Sequence, residues 1–207
     1  MEKNLKIEAI IKSGIALGLK NFVSILLSTI LYFLTFWIPY LNVGTTIAMS
    51  TLPLKMSEGE TISPGDIFNE KYRKNMGEFL LLTGLLFLIV FMGYIFMIIP
   101  AIVMRIAYGY SIYFFIDKEI TPTEALNISN KRTYGHKWNI FLAKFGFMIA
   151  AFIVAYVFSL ILPILAVIPM ILIMPILLGI DAYIYSQISD GTVASDAGSS
   201  DVIDDFS

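Results

Sequence analysis

An all-α integral membrane protein is the fold class this sequence predicts, on three observations. The 207 residues are 57% apolar and only 14% charged, with a mean hydropathy of +0.80, which suits lipid rather than water around most of the surface. Three apolar stretches, 22–54, 79–116 and 140–185, are each too long for one crossing, since about 20 helical residues span the hydrocarbon core. Each also holds a proline at its expected turn, Pro39, Pro100 and Pro163, where the ring removes a backbone donor and disfavours helix in the preceding residue. The stretches therefore read as three helical hairpins. About six transmembrane helices follow, near 22–38, 40–54, 78–98, 101–116, 139–161 and 164–186. The second is short, and Pro169 and Pro175 kink or offset the sixth.

Orientation follows from where the 14 lysines and arginines fall. Lys3, Lys6, Lys12 and Lys20 precede the first hairpin; Lys55, Lys71, Arg73 and Lys74 lie between the first and second; Lys118, Lys131, Arg132 and Lys137 lie between the second and third. Lys144 sits at the foot of the fifth span, where it can snorkel, and Arg105 alone is left over. The opposite turns carry no charge. The positive-inside rule then places both termini and both long connections in the cytoplasm.

A weak internal repeat supports three units, about 1–57, 58–118 and 119–186, within one polytopic domain over 1–186. Ser63-Pro64-Gly65-Asp66 and Thr121-Pro122-Thr123-Glu124 stand 58 residues apart, and Glu8 precedes Asp66 by the same interval. Each tetrad offers a hydroxyl N-cap, proline at the first helical position and a carboxylate at the third. Each hairpin is thus expected to follow a cytoplasmic interfacial amphipathic helix. The N-terminal copy sets Ile7, Ile10, Ile11, Gly14, Leu17 and Gly18 on one face and Glu8, Lys12 and Lys20 on another, a pattern suited to the headgroup layer. Residues 1–20 lack a clean apolar core and cleavage site, so they are not read as a removable signal peptide. Residues 187–207, rich in Ser, Gly and Asp, read as a disordered acidic tail, with 201–206 as a possible docking peptide.

The chemical inventory excludes much. The net charge of −2 gives no basic field for nucleic acid, and the absence of cysteine removes thiolate catalysis and thiolate metal sites. His136 is the single histidine, so no histidine pair exists for a metal, and no phosphate-cradling glycine loop occurs. No catalytic, cofactor or metal site is assigned. His136 and Trp138 read as headgroup-level anchors before the fifth span, Ile10 and Ile11 as membrane-facing, and Asp181 as an interfacial carboxylate. Arg105 is costlier. Five residues past Pro100, it lies roughly 7 to 8 Å into the membrane, so a polar cluster is expected around it from Asn42, Thr45, Thr46, Tyr94 and Ser159.

The run Ile98-Ile99-Pro100-Ala101-Ile102-Val103-Met104-Arg105-Ile106-Ala107-Tyr108, with Glu124-Ala125-Leu126-Asn127-Ile128-Ser129 and Gly135-His136-Lys137-Trp138, resembles the YciC-like group of bacterial integral membrane proteins. It is also similar to the membrane domain fused to some glycerophosphodiester phosphodiesterases. The resemblance implies a prokaryotic cytoplasmic (inner) membrane and a non-catalytic membrane module. The expected function is therefore a non-enzymatic module that organises lipid or docks a protein partner through its cytoplasmic helices or acidic tail. A small transporter or channel is the alternative and a lipid-acting enzyme the third.

Overall fold

The computed structural model describes residues 5–35, 37–60, 62–162 and 167–189. The expected turn at Pro163 and the acidic tail beyond Ser189 lie outside these residues; Gln187 and Ile188 belong to the last turn of the final helix. Among the described residues all regular structure is helical: α1 (Ile7–Lys20), α2 (Phe22–Thr35), α3 (Pro39–Ser57), two 3-10 turns (Pro64–Phe68 and Glu70–Arg73), α4 (Met76–Phe96), α5 (Ile98–Tyr108), α6 (Ser111–Lys118), α7 (Pro122–Thr133), α8 (Lys137–Ile161) and α9 (Val167–Ser189). Four stretches are long and apolar enough to cross a membrane: Met76–Phe96, Ile98–Lys118, Lys137–Leu160 and Ile171–Ser189. A fifth is reached only if α1 and α2, bent 70° apart, are taken as one.

The helix ends follow local chemistry. Asn21 closes α1 by donating from both its backbone and side-chain nitrogens to the Leu17 carbonyl, at 3.2 and 3.0 Å. The α4–α5 turn falls at Met97, three residues before the expected Pro100. Pro100 instead occupies the first turn of α5, where its missing donor costs nothing, and Gly93 opposite it lets the two helices close. A Cβ there would stand 2.7 Å from the Ala101 Cα.

The two proline tetrads fold differently. Thr121 caps α7 and forms a reciprocal capping box with Glu124, as the spacing predicts. At Ser63 only a short 3-10 turn forms, without a side-chain cap; Asp66 pairs with Lys55 at 2.8 Å instead of turning back to its own N-terminus.

The amphipathic helices do not offer their apolar faces mainly to lipid. Ile10, Gly14 and Gly18 of α1 are buried, and α1 crosses α9 closely, with no room for a Cβ at Gly14 against the Ile180 backbone. Ile11 is half-buried against the same core. In α7, Ala125 and Leu126 are buried and Ser129 donates to the Ala107 carbonyl of α5 at 2.7 Å. Glycine and small hydroxyl residues allow this approach because little side chain separates the backbones.

Helix α3 covers the second span expected at 40–54 but is not among the stretches long and apolar enough to cross a membrane. Its first turns lie beside the connection that follows it: the Arg73 guanidinium stands 6.0 Å from the Tyr40 ring centroid, and a Cβ on Gly44 would meet the Arg73 Cγ at 2.9 Å. Farther along, the Thr51 hydroxyl donates to the Tyr72 hydroxyl at 3.4 Å and Lys55 reaches Asp66. The residues just before and at the start of α4 thus lie along α3 from Gly44 to Lys55, with Asn75 and Phe79 lining one cavity with Ile47, Thr51 and Leu54.

Burial is uneven along the long helices. On α8, Leu142, Phe145, Ile149, Phe152, Ile153, Tyr156 and Leu160 are exposed, and on α4 so are Leu80, Leu81, Phe87, Leu88, Phe91, Met92 and Tyr94. Residues 145–160 of α8, uncharged throughout, rise about 24 Å, most of the thickness of a hydrocarbon core. At the other end, Phe79, Leu82, Phe114, Ile140, Ile180 and Tyr185 pack into one core with Ile10 and Ile47. A bare apolar mantle therefore meets a densely packed helical base.

Candidate functional site

Where the mantle meets the base, a cleft of about 640 Å³ opens between α4, α5 and α6 on one side and α8 on the other. Its walls are mostly apolar, among them Leu86, Val90, Ile102, Phe145 and Met148, and its polar groups are Arg105, Tyr110, Tyr113, Lys144 and Asp181. Helix α5 ends at Tyr108 and α6 restarts at Ser111; between them the Gly109 amide donates to the Arg105 carbonyl at 2.9 Å.

At the floor of the cleft, Asp181 of α9 forms an ion pair with Lys144 of α8 and accepts a hydrogen bond from the buried Tyr110 hydroxyl at 3.0 Å. The Lys144 ammonium also lies 5.1 Å from the Tyr110 ring centroid, over its electron-rich face. Partial burial makes such a pair interdependent: each charge is tolerated because the other is present. Arg105 lies higher, seven residues after the start of α5, about 10 Å from that helix's outer end. It is exposed to the cleft, and among the described residues no carboxylate pairs with it.

The residues expected to surround Arg105 fall in three places. Tyr94 lines the same cleft. Thr45 exchanges a hydrogen bond with Thr35 at 2.9 Å, Thr46 donates to the Tyr32 hydroxyl at 3.3 Å, and Asn42 supplies its carbonyl to both threonines; these tie α2 to α3. Ser159 donates to the Tyr156 carbonyl of its own helix at 2.6 Å. Trp138 is exposed with its ring edge-on to Phe141, and His136 is the N-cap residue of α8. Asp181 is drawn inward to Lys144. Sequence reasoning missed Lys144 and Tyr110 as its partners, although one signal was present: Lys144 is two helical turns beyond Lys137 and therefore about 10 Å deeper on the same face.

A second cavity, about 350 Å³, lies in the base between α3, the 3-10 turns and the end of α6. Glu58, Glu60, Asp117 and Glu119 line it. Asp117 pairs with Lys118 at 2.9 Å and accepts from the Tyr185 hydroxyl at 2.6 Å. No group of three or more Asp, Glu or His among the described residues has a metal-holding arrangement.

These features define an all-helical protein with several apolar helices compatible with a multi-pass membrane protein. No protein-family model, curated protein or solved structure matches the chain.

Proposed function

We propose that this protein is a non-enzymatic module of the prokaryotic cytoplasmic membrane, with its helical base on the cytoplasmic side organising lipid or docking a partner. The abrupt change from bare apolar helices to a packed base carries this reading: about 24 Å of α8, residues 145–160, is uncharged and largely exposed, and the lysine-rich connections gather at the packed end. Four spans suit the geometry better than six. Helix α4 rises about 31 Å over its 21 residues, and its first turn lies beside the middle of α3, so a helix α3 that is not long and apolar enough to cross is read as staying on the cytoplasmic side. The α2–α3 hairpin, whose tip is bare at Phe33, Leu34, Trp37 and Tyr40, then lies in the membrane surface beside the base, and an even number of spans keeps both ends cytoplasmic. The resemblance of 98–138 to the YciC-like group agrees with a module without chemistry of its own.

The cleft favours a second reading, a small transporter. Proteoliposome flux of ions and small solutes separates the two. The module reading expects flux equal to that of protein-free vesicles; flux that requires Arg105 would overturn it.

A further inference from the structure

We infer that the cleft between the α4–α5 hairpin and α8 is a binding site for one phosphate-bearing anionic lipid, held by Arg105 and Lys144 with its acyl chains along the apolar walls. The charge balance points to an anion. Two cations and one carboxylate line the cleft, and the carboxylate, Asp181, is engaged by Lys144 and by Tyr110. Arg105 is left without an acidic partner among the described residues, inside a helix whose neighbours are apolar. An uncompensated guanidinium at that depth is unfavourable unless an anion or water reaches it.

The levels of the two cations suit one headgroup. Arg105 and Tyr110 are five residues apart, about 7 to 8 Å along the axis, and Lys144 lies beside the Tyr110 ring. A phosphate seated between the two levels meets a guanidinium fork from above and an ammonium from below, both of which make charge-assisted hydrogen bonds to phosphate oxygens. Basic pockets between spans at the cytoplasmic side are general sites for anionic headgroups. Around and above Arg105 the walls include Val90, Ile102 and Met148, which offer an acyl chain the same surroundings as the bilayer. Lys144 lies near the inner end of the bare section of α8, so an inner-leaflet lipid enters sideways without crossing the membrane.

The site depends on the membrane-module reading only for its lipid surroundings. Native mass spectrometry of the full chain from nanodiscs containing phosphatidylglycerol and phosphatidylcholine in equal amounts tests it. The expected result is one phosphatidylglycerol retained after phosphatidylcholine is stripped. Arg105→Gln should lower that retention about tenfold, Arg105→Lys by less, and Lys12→Ala, remote on α1, not at all. Inorganic phosphate at millimolar concentration should not displace the lipid; displacement would mean a soluble anion is the ligand and would overturn the proposal. Equal retention of both lipids, or unchanged retention in Arg105→Gln, would overturn it too, while leaving the module reading standing. Should Arg105→Gln fail to fold, the wild type decides alone: phosphatidylglycerol must raise its melting temperature above that in phosphatidylcholine, and equal values sink the site.

Discussion

At Glu58 the chain keeps a carboxylate where others already sit. Burial, the negative charge of Asp117 and that of Glu60 hold its pKa above the ordinary value of 4.5. A carboxyl raised in the folded state contributes stability that is complete below its unfolded pKa and lost as the pH climbs through the folded one. Glu58→Gln is therefore expected to raise the melting temperature at pH 7, by about 1 to 2 °C for a largely exposed group, and to change nothing below pH 4.5; thermal melts at the two pH values check this. The Lys144–Asp181 pair behaves differently. Asp181→Asn leaves an ammonium in the cleft floor without its counter-charge. Because Lys144 keeps 34% of its side chain exposed, the loss should fall below the 3 to 5 kcal/mol of a fully buried pair, at about 1 to 3 kcal/mol. Lys144→Met with Asp181→Asn removes both charges and should recover most of it, as detergent melts of the single and double variants would show. That two charges interrupt the apolar stretches was legible in the sequence. Their pairing was not, because it depends on which helices become neighbours.

Helix periodicity was the most legible feature, and what each apolar face meets was the least. The spacing of Ile7, Ile10, Ile11, Gly14 and Gly18 gives one face to α1, but a bilayer and the flank of α9 both satisfy it. The glycines carried the missing information, since a headgroup layer has no need of missing side chains and a tight helix crossing does. A Cβ on Gly179 would strike the Gly14 carbonyl and stand 2.6 Å from the Gly18 amide nitrogen. Gly179→Ala should therefore force α1 from α9 and destabilise by about 1 to 3 kcal/mol, with earlier proteolysis of residues 1–20. Gly146→Ala on α8, where no atom lies within 4 Å, should be silent or stabilising by up to about 1 kcal/mol through helix propensity. Equal melting temperatures for the two variants would mean the α1–α9 crossing is not tight. The capping box at Thr121 was predictable from four residues; the 3-10 turn at Ser63 was not, because Asp66 answers to Lys55 from another helix.

Across the whole molecule, composition pointed to a membrane protein and lysine placement suggested which face is inside, yet the number of crossings rested on reading 22–54 as a hairpin through the bilayer. Hydropathy along α3 is diluted by Asn42, Thr45, Thr46, Ser50 and Thr51. Arg73 then returns to the Tyr40 end of the helix, something no local pattern announces. Substituted-cysteine labelling with an impermeant maleimide, in intact and permeabilised cells, measures this directly. Ile99, at the exposed α4–α5 turn, Tyr40, at the exposed start of α3, and Glu60, in the connection after α3, are each replaced by cysteine. A four-span arrangement with a cytoplasmic base predicts that Ile99→Cys reacts in intact cells and that Tyr40→Cys and Glu60→Cys react only after permeabilisation. Reaction of Tyr40→Cys in intact cells, with Glu60→Cys still protected, would show that α3 crosses the membrane and would contradict it.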